Sequence, residues 1–336
     1  MNRTLRIGLS ANASGPHTRE LTQAFADASQ WLNRKAEFIW AEDGRDPTMA
    51  ARAAVQLANA NVAIVVGHLS AAAALAALPV YVERNIAFIA PATSHKRLNP
   101  SGWRGALRAF GTDTRTARTM VTVCPPGAQP VVAFQHQTYG TALAQELEAV
   151  ILGRGEVPRL IGCSLPLTAR ALPAQTTTLY VAGIHEFCIE VVRDARGQGF
   201  GGPIVVGDDC FTPNFVNLCG TVAEGTLVAT QIVASRYGFQ QDDIGSVIEA
   251  TDIDGYHSTS LIALTVALQA VAQYPDLRGA ELGHVIQQTS WATSYGTFGF
   301  NPQGDLVGLD DVAFEVRGGR LLLKHFEVAA SAGLSA

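Results

Sequence analysis

The chain has 336 residues, enough for about two domains that each bury a core, and carries 24 Lys plus Arg against 29 Asp plus Glu, a formal charge of −5. That balance excludes the basic excess of a nucleic-acid binder, and the length excludes a disulfide-stapled miniprotein. Charged residues make up 16% and aromatics 7%, and the abundant alanine together with 32 glycines suits helices packed closely on sheets, an α/β protein, more than an aromatic-layered sandwich.

From the N-terminus, Met1 to Ile7 moves directly into a strand, with no apolar stretch or small-residue cleavage site before it, so no secretory leader is expected in this chain. Leu5 to Ala11 reads as a strand, and His17 to Lys35 as a helix with apolar residues at Leu21, Phe25, Ala28 and Leu32. Ala36 to Ala41 is a second strand, and Pro47 opens a helix that runs to about Ala60. Mean hydropathy is +0.16, and Val62 to Val82 is long enough to span a bilayer. It divides, however, into a β-branched strand ending at Gly67 and an Ala/Leu helix from Ser70, interrupted by His68 and Pro79, which argues against a membrane span. Ile86 to Pro91 is the next strand. Four strands alternating with three helices predict a parallel, doubly wound sheet. A short strand at Ala106 to Phe110 and a helix from Thr114 follow.

After Pro125-Pro-Gly127 the alternation restarts: strand Val131 to Phe134, helix Thr141 to Leu152, strands Leu160 to Cys163 and Leu179 to Val181, helix His185 to Gln198, strand Ile204 to Gly207. Helical patterns return at Gln241 to Ala250, Ser258 to Tyr274 and Ala280 to Thr289. Two strands, Val312 to Val316 and Leu321 to Phe326, close the chain around an Arg317-Gly-Gly-Arg320 hairpin.

Catalytic templates are absent: there is no HExxH, Walker motif or GxSxG elbow. Gly197 to Gly202 is glycine-rich but follows a helix and precedes a strand, the reverse of a dinucleotide fingerprint. Five cysteines without a CxxC pair, and His185-Glu186 without a metal spacing, predict no metal site and no cofactor. Cys210 and Cys219 either bridge across one short helix or stay as thiols. Ligands of open α/β sheets bind beyond the carboxyl ends of strands. There, Ser70 opens an Ala-rich helix able to hold an anion, and Thr93 and Ser94 offer hydroxyls that also suit turns and caps. Asp208-Asp209 and Tyr139 end or follow strands in the second half. An acid and an aromatic facing hydroxyls suit a small zwitterion.

These residues, with Ser14-Gly-Pro16, Asp46-Pro47, Val65-Val-Gly-His-Leu-Ser70, Pro79 to Ile86, Ala90-Pro-Ala-Thr-Ser94, Thr138-Tyr-Gly140, Ile204-Val-Val-Gly-Asp-Asp209, Ala223-Glu-Gly225 and Gly299 to Asp305, resemble the periplasmic leucine/isoleucine/valine-binding protein family nearly end to end. The resemblance implies the type I substrate-binding fold, shared with amide sensors and receptor ligand-binding domains. Two Rossmann-like lobes are then joined by three chain crossings, with 1–112 and 232–310 as lobe one and 113–231 and 311–336 as lobe two. Carried over by position, Ala71 stands where a serine holds the ligand carboxylate, with Ser70 before it. Ala92, with Thr93 beside it, and Ser94 match carbonyl and hydroxyl positions. Tyr139 matches the lobe-two tyrosine, the Ile184 and His185 region a second tyrosine, and Asp209 the glutamate that pairs with the ligand ammonium.

Three departures accompany the match. Ala71 lacks the hydroxyl and His185 replaces a tyrosine; Ser70 stands where the family's lobe-one disulfide has a cysteine; and the unit between Gly162 and Thr178 is short for a helix. The expected function is a non-catalytic solute-binding protein that captures an amino-acid-like or amide ligand for an ABC transporter permease. The alternative is a cytoplasmic ligand sensor of the same fold that controls a regulator protein. Location follows the N-terminus: periplasmic if Met1 replaces a removed leader, cytoplasmic if it is native.

Overall fold

Alternating aliphatic runs and alanine-rich helices build the first half. A computed structural model describes residues 5–15, 17–99, 103–163 and 172–328. Its first elements are β1 (Leu5–Ala11), α1 (Thr18–Trp31), β2 (Ala36–Glu42), α2 (Pro47–Asn59), β3 (Ile64–Gly67), α3 (Ala71–Glu83), β4 (Ala87–Ala90) and β5 (Ala106–Arg108). The five strands form an all-parallel sheet in the order β2-β1-β3-β4-β5. The order reverses between β1 and β3, and a ligand crevice is expected outside the carboxyl ends of the strands there. Asp46 caps α2 through its carboxylate, and Pro47 sits at the first helical position. Ala50, Ala53 and Ala54 of α2 and Ala73, Ala74 and Ala77 of α3 are buried, so the alanine excess lets two helices pack closely over one sheet face. Gly67 is required where β3 meets β1: a Cβ there would lie 2.1 Å from the Ser10 carbonyl oxygen, at φ +146°.

The second half continues with α4 (Asp113–Thr122), β6 (Pro130–Gln135), α5 (Thr138–Gly153), β7 (Arg159–Cys163), β8 (Thr178–Ala182), α6 (His185–Gly197), β9 (Ile204–Val206), α7 (Pro213–Cys219) and β10 (Thr226–Ile232). After these come β11 (Val247–Glu249), α8 (His257–Gln273), α9 (Gly279–Gln288), β12 (Trp291–Thr293), β13 (Gly296–Phe300), β14 (Leu306–Val307), β15 (Asp310–Arg317) and β16 (Arg320–Glu327). The larger sheet runs β11-β16-β15-β10-β9-β8-β6-β7, parallel from β7 to β10 and antiparallel beyond. Strands β12 to β14 form a small third sheet that periodicity did not predict. The molecule is thus two parallel-sheet α/β lobes, with α8 and α9 returning to the smaller sheet's side. Arg115 of α4 donates to Asp311 (2.9 and 3.1 Å) and to the Leu309 carbonyl (2.6 Å), and Gln231 donates to Asp311 (2.9 Å). These bonds tie α4, β10 and β15 together where the chain passes between the lobes.

The helix expected over Gln241 to Ala250 is not formed. Asp243 accepts the Gln240 N–H in a turn, Gly245 takes φ +101°, and β-branched Val247 and Ile248 pair with the edge of β16. The hairpin between β15 and β16 is as expected, with Gly318 and Gly319 both at positive φ. Cys210 and Cys219 are both buried and are not bridged to each other. The short unit between Gly162 and Thr178 falls largely at 164–171, outside the described residues. No helix among the described residues is long and apolar enough to cross a membrane.

Candidate functional site

A cavity of about 270 Å³ opens between the lobes, and nearly all of its wall comes from segments that follow strand ends. Arg45 follows β2, Leu69 to Ala72 follow β3, and Ala92 to Ser94 follow β4. From the other lobe come Gln137 to Tyr139 after β6, Ile184 after β8, and Asp208 with Asp209 after β9; Tyr256, just before α8, closes the wall.

Ser70 is the N-cap of α3, its hydroxyl accepting the Ala73 N–H at 3.3 Å. Ala71 and Ala72 line the cavity and carry first-turn N–H groups for which a helix has no internal acceptor. With the positive end of the helix dipole, they offer a seat for a carboxylate. The small Ala92 side chain completes this wall. Thr93 and Ser94 also line the cavity, but their hydroxyls are engaged inside the protein. Thr93 Oγ1 donates to the His68 carbonyl (3.2 Å) and Ser94 Oγ to Asp113 (2.6 Å). The Ser94 oxygen keeps its acceptor capacity toward a ligand. Burial pushes Asp113 up to about 6, although the Ser94 hydrogen bond and Arg108 oppose the rise.

On the facing lobe, Tyr139 donates to Asp208 Oδ1 at 2.7 Å, and from across the cleft Tyr256 donates to Asp208 Oδ2 at 3.3 Å. Burial raises both phenols well above their ordinary value, with the Asp208 charge adding to it, so they remain donors. Burial likewise pushes Asp208 up to about 7, against the Tyr139 hydrogen bond and helped by the charges of Asp113 and Asp209. Asp209 behaves oppositely. Burial would raise it, but the His185 hydrogen bond and the charges of His17, His185 and Arg45 hold its carboxyl well below the usual range. Its Oδ2 accepts the His185 backbone N–H at 2.7 Å and lies 3.0 Å from His185 Nδ1. The result is an ionised carboxylate on the wall beside a second, more readily protonated one.

Seven of the eight residues expected from sequence line the cavity. The eighth, His185, is buried behind Asp209, and Ile184 takes the wall position instead. Arg45, Gln137 and Tyr256 on the wall, and His17 beside it, were not expected. Arg45 sits in a tight loop at φ +55°. Tyr256 packs edge-on against His17 and Phe110, with ring centroids 4.6 and 5.4 Å away. His17 itself is 6% exposed beside Asp209. Each belongs to a loop or helix start whose neighbours are remote in sequence; only the turn-forming Asp43-Gly-Arg45-Asp-Pro47 stretch carried a local signal.

Two α/β lobes, each presenting strand ends to a shared cavity, define a type I periplasmic binding fold. A family model described as "Periplasmic binding protein" matches residues 4–152. The Leu/Ile/Val-binding protein of Escherichia coli (strain K12) is 22% identical over 332 residues, covering 93% of this chain and 90% of that protein. The Leu/Ile/Val/Thr-binding protein of Salmonella typhimurium is also 22% identical, covering 93% and 91%. Among solved structures, a leucine binding protein from Thermotoga maritima superposes with a TM-score of 0.82 at 16% identity, covering 96% of this chain and 99% of that one. A solute binding protein of an ABC transporter from R. palustris, in complex with benzoate, gives 0.76 at 15%, covering 98% of each. The chain is thus similar to the periplasmic binding protein family model over residues 4–152, and to Leu/Ile/Val-binding proteins at low identity over most of its length.

Proposed function

We propose that this chain is a solute-binding protein that captures a small amino-acid-like ligand between its lobes and presents it to an ABC transporter permease. One observation carries the reading: the N-terminus of α3 and the ionised Asp209 are both on the wall of one cavity of about 270 Å³. The first suits a carboxylate and the second an ammonium, and the volume suits a small ligand. The relatives support the class. They include Leu/Ile/Val-binding proteins and solved structures with leucine or isoleucine, alongside others with benzoate or 3,4-dihydroxybenzoic acid. An aromatic acid without an amine leaves Asp209 facing an anion, so the amine-bearing ligand is the better fit.

The lobes are proposed as 1–112 with 232–310 against 113–231 with 311–336, except that Val247–Glu249 joins the second lobe through its pairing with β16. Closure about the connecting segments would bury the ligand. Periplasmic residence follows from the transport role. The unbridged thiols of Cys210 and Cys219 favour the alternative, a ligand sensor in a reducing compartment.

The test is a thermal-shift screen of leucine, isoleucine, valine, simple amides, benzoate and hydroxybenzoates. A ligand at 1,000 times its Kd stabilises by about 4 kcal/mol. With an unfolding entropy of about 2.1 cal/mol/K per residue, that raises Tm by roughly 6 °C. Amine-bearing acids should give the shift. A shift with the benzoates and none with the amino acids would overturn the ligand class.

A further inference from the structure

We propose that His17, His185 and Asp209 form a binding site for a divalent transition-metal ion of the zinc class, joining the two lobes beside the solute cavity. One ligand atom from each residue lies within 4.8 Å of the others, and all three residues are buried. Two imidazoles and a carboxylate make a donor set typical of zinc sites that keep a fourth position open. Tetrahedral coordination at about 2.1 Å places ligand atoms roughly 3.4 Å apart, so the observed spread needs a contraction of up to about 1.4 Å. The site straddles lobes already joined beside it by the Tyr256–Asp208 hydrogen bond, so a small approach of His17 toward His185 and Asp209 together with side-chain rotation would supply that movement.

A second, independent observation points to a missing ligand. His17 is 6% exposed, and among the described residues its Nε2 has no hydrogen-bond partner. An unsatisfied buried ring nitrogen is costly unless something fills its place. The other nitrogen is already oriented: Nδ1 lies 3.0 Å from Glu20 Oε2. A carboxylate on the far nitrogen of a histidine is the arrangement that fixes the tautomer and presents Nε2 to a metal. Glu186, 3.4 Å from His185 Nδ1, adds negative charge, and Arg45, 3.9 Å from Glu186, opposes it. His17 precedes α1 on one lobe, whereas His185 opens α6 and Asp209 follows β9 on the other. A bound ion would therefore link elements that the backbone leaves separate, and Asp209, shared with the cavity wall, sets it next to the solute. The metal site stands whether or not the solute is an amino acid.

The experiment is a Zn²⁺ titration of chelator-stripped full-length protein without solute, by calorimetry and by competition with a chromogenic chelator, with Co²⁺ absorption as a coordination probe. One equivalent of Zn²⁺ is expected, with a Co²⁺ spectrum of nitrogen and oxygen ligation. His17→Gln and His185→Gln should each weaken binding by tenfold or more. Glu20→Gln, which releases the orientation of His17 and keeps an amide oxygen able to accept the Tyr256 N–H, should weaken it by about tenfold. The control His284→Gln, on α9 and bonded to Arg104 rather than to the site, should change nothing. Absence of a stoichiometric Zn²⁺ site overturns the proposal, as does an affinity unchanged by His17→Gln and Glu20→Gln. If His17→Gln fails to fold, the Glu20→Gln titration and its Co²⁺ spectrum decide. A solute-induced thermal shift that persists in chelator with no Zn²⁺ binding would sink the metal site and leave the solute reading intact.

Discussion

His68 is fully buried between Asp43, 2.9 Å from its Nδ1, and the Tyr81 hydroxyl, 2.8 Å from its Nε2. It takes φ +49° directly after β3, and its carbonyl accepts the Thr93 hydroxyl behind the cavity wall. Replacing it by Asn keeps a residue type that tolerates positive φ, so backbone strain does not confound the result. The shorter side chain cannot reach both partners. Asp43 is 1% exposed, and stripping one partner from a buried charge costs about 3–5 kcal/mol. An unfolding entropy near 0.7 kcal/mol/K for a chain of this length converts that into a Tm fall of about 4–7 °C. The assay is calorimetric melting of wild type, His68→Asn, Asp43→Asn and the double variant at neutral pH. In the double variant the buried charge is gone, so its loss should be smaller than the sum of the two single losses. A His68→Asn loss below about 1 kcal/mol, or strict additivity in the cycle, would refute the argument that this network holds the strand ends.

Three further outcomes follow from the cavity. Asp209→Asn keeps an acceptor for the His185 N–H but removes the charge. On the proposed reading it weakens amine-bearing ligands by about 1.5–3 kcal/mol, roughly 10–150-fold by calorimetry, and spares analogues without the amine. Ala71→Ser adds a hydroxyl at the carboxylate seat and should tighten α-amino acids by about 1 kcal/mol, near fivefold; weaker binding would show that the α3 N-terminus is not that seat. Asp113, held near 6 by burial, keeps its proton in the folded state to higher pH than in the unfolded chain. Stability therefore falls as pH rises from about 4 to 6 and is level above. Asp113→Asn retains an acceptor for Ser94 and should gain Tm relative to wild type across that window; a pH-independent difference would reject the raised value.

Much of the wall was legible because doubly wound sheets bring the residues after successive strands to one edge. Ser70, Thr93, Ser94, Tyr139 and Asp209 were found by locating strand ends, Ala71 and Ala92 through the family resemblance, and all line the cavity. What periodicity could not supply was the direction of each hydroxyl. Thr93 and Ser94 look like ligand donors in sequence, yet both bond inward, because buried hydroxyls near His68 and Asp113 find partners in the protein first. Arg45 and Tyr256 were missed for another reason: each sits in a loop or at a helix start, and its place on the wall depends on packing against segments remote in sequence. The misread helix at Gln241 to Ala250 shows the limit of short apolar patterns. Val247 and Ile248 are equally compatible with a helix face or a strand, and the free edge of β16 decided between them.

Asp208 and Asp209 are adjacent in sequence and buried in the same wall, yet their environments drive them apart. Asp208 meets neutral donors, the phenols and a backbone N–H, which compensate part of its desolvation and leave it near 7. Asp209 meets a backbone N–H at the start of α6 and nearby cationic groups, which overcompensate. A dipeptide thus presents one fixed anion and one carboxyl whose charge follows its occupant. An ammonium placed between them gains the fixed charge of Asp209 and stabilises the ionised form of Asp208 as well. A bare carboxylate would gain neither. The selectivity argued for the cleft therefore rests on the pair, and on the absence of a matching cation from the second lobe's share of the cavity lining among the described residues.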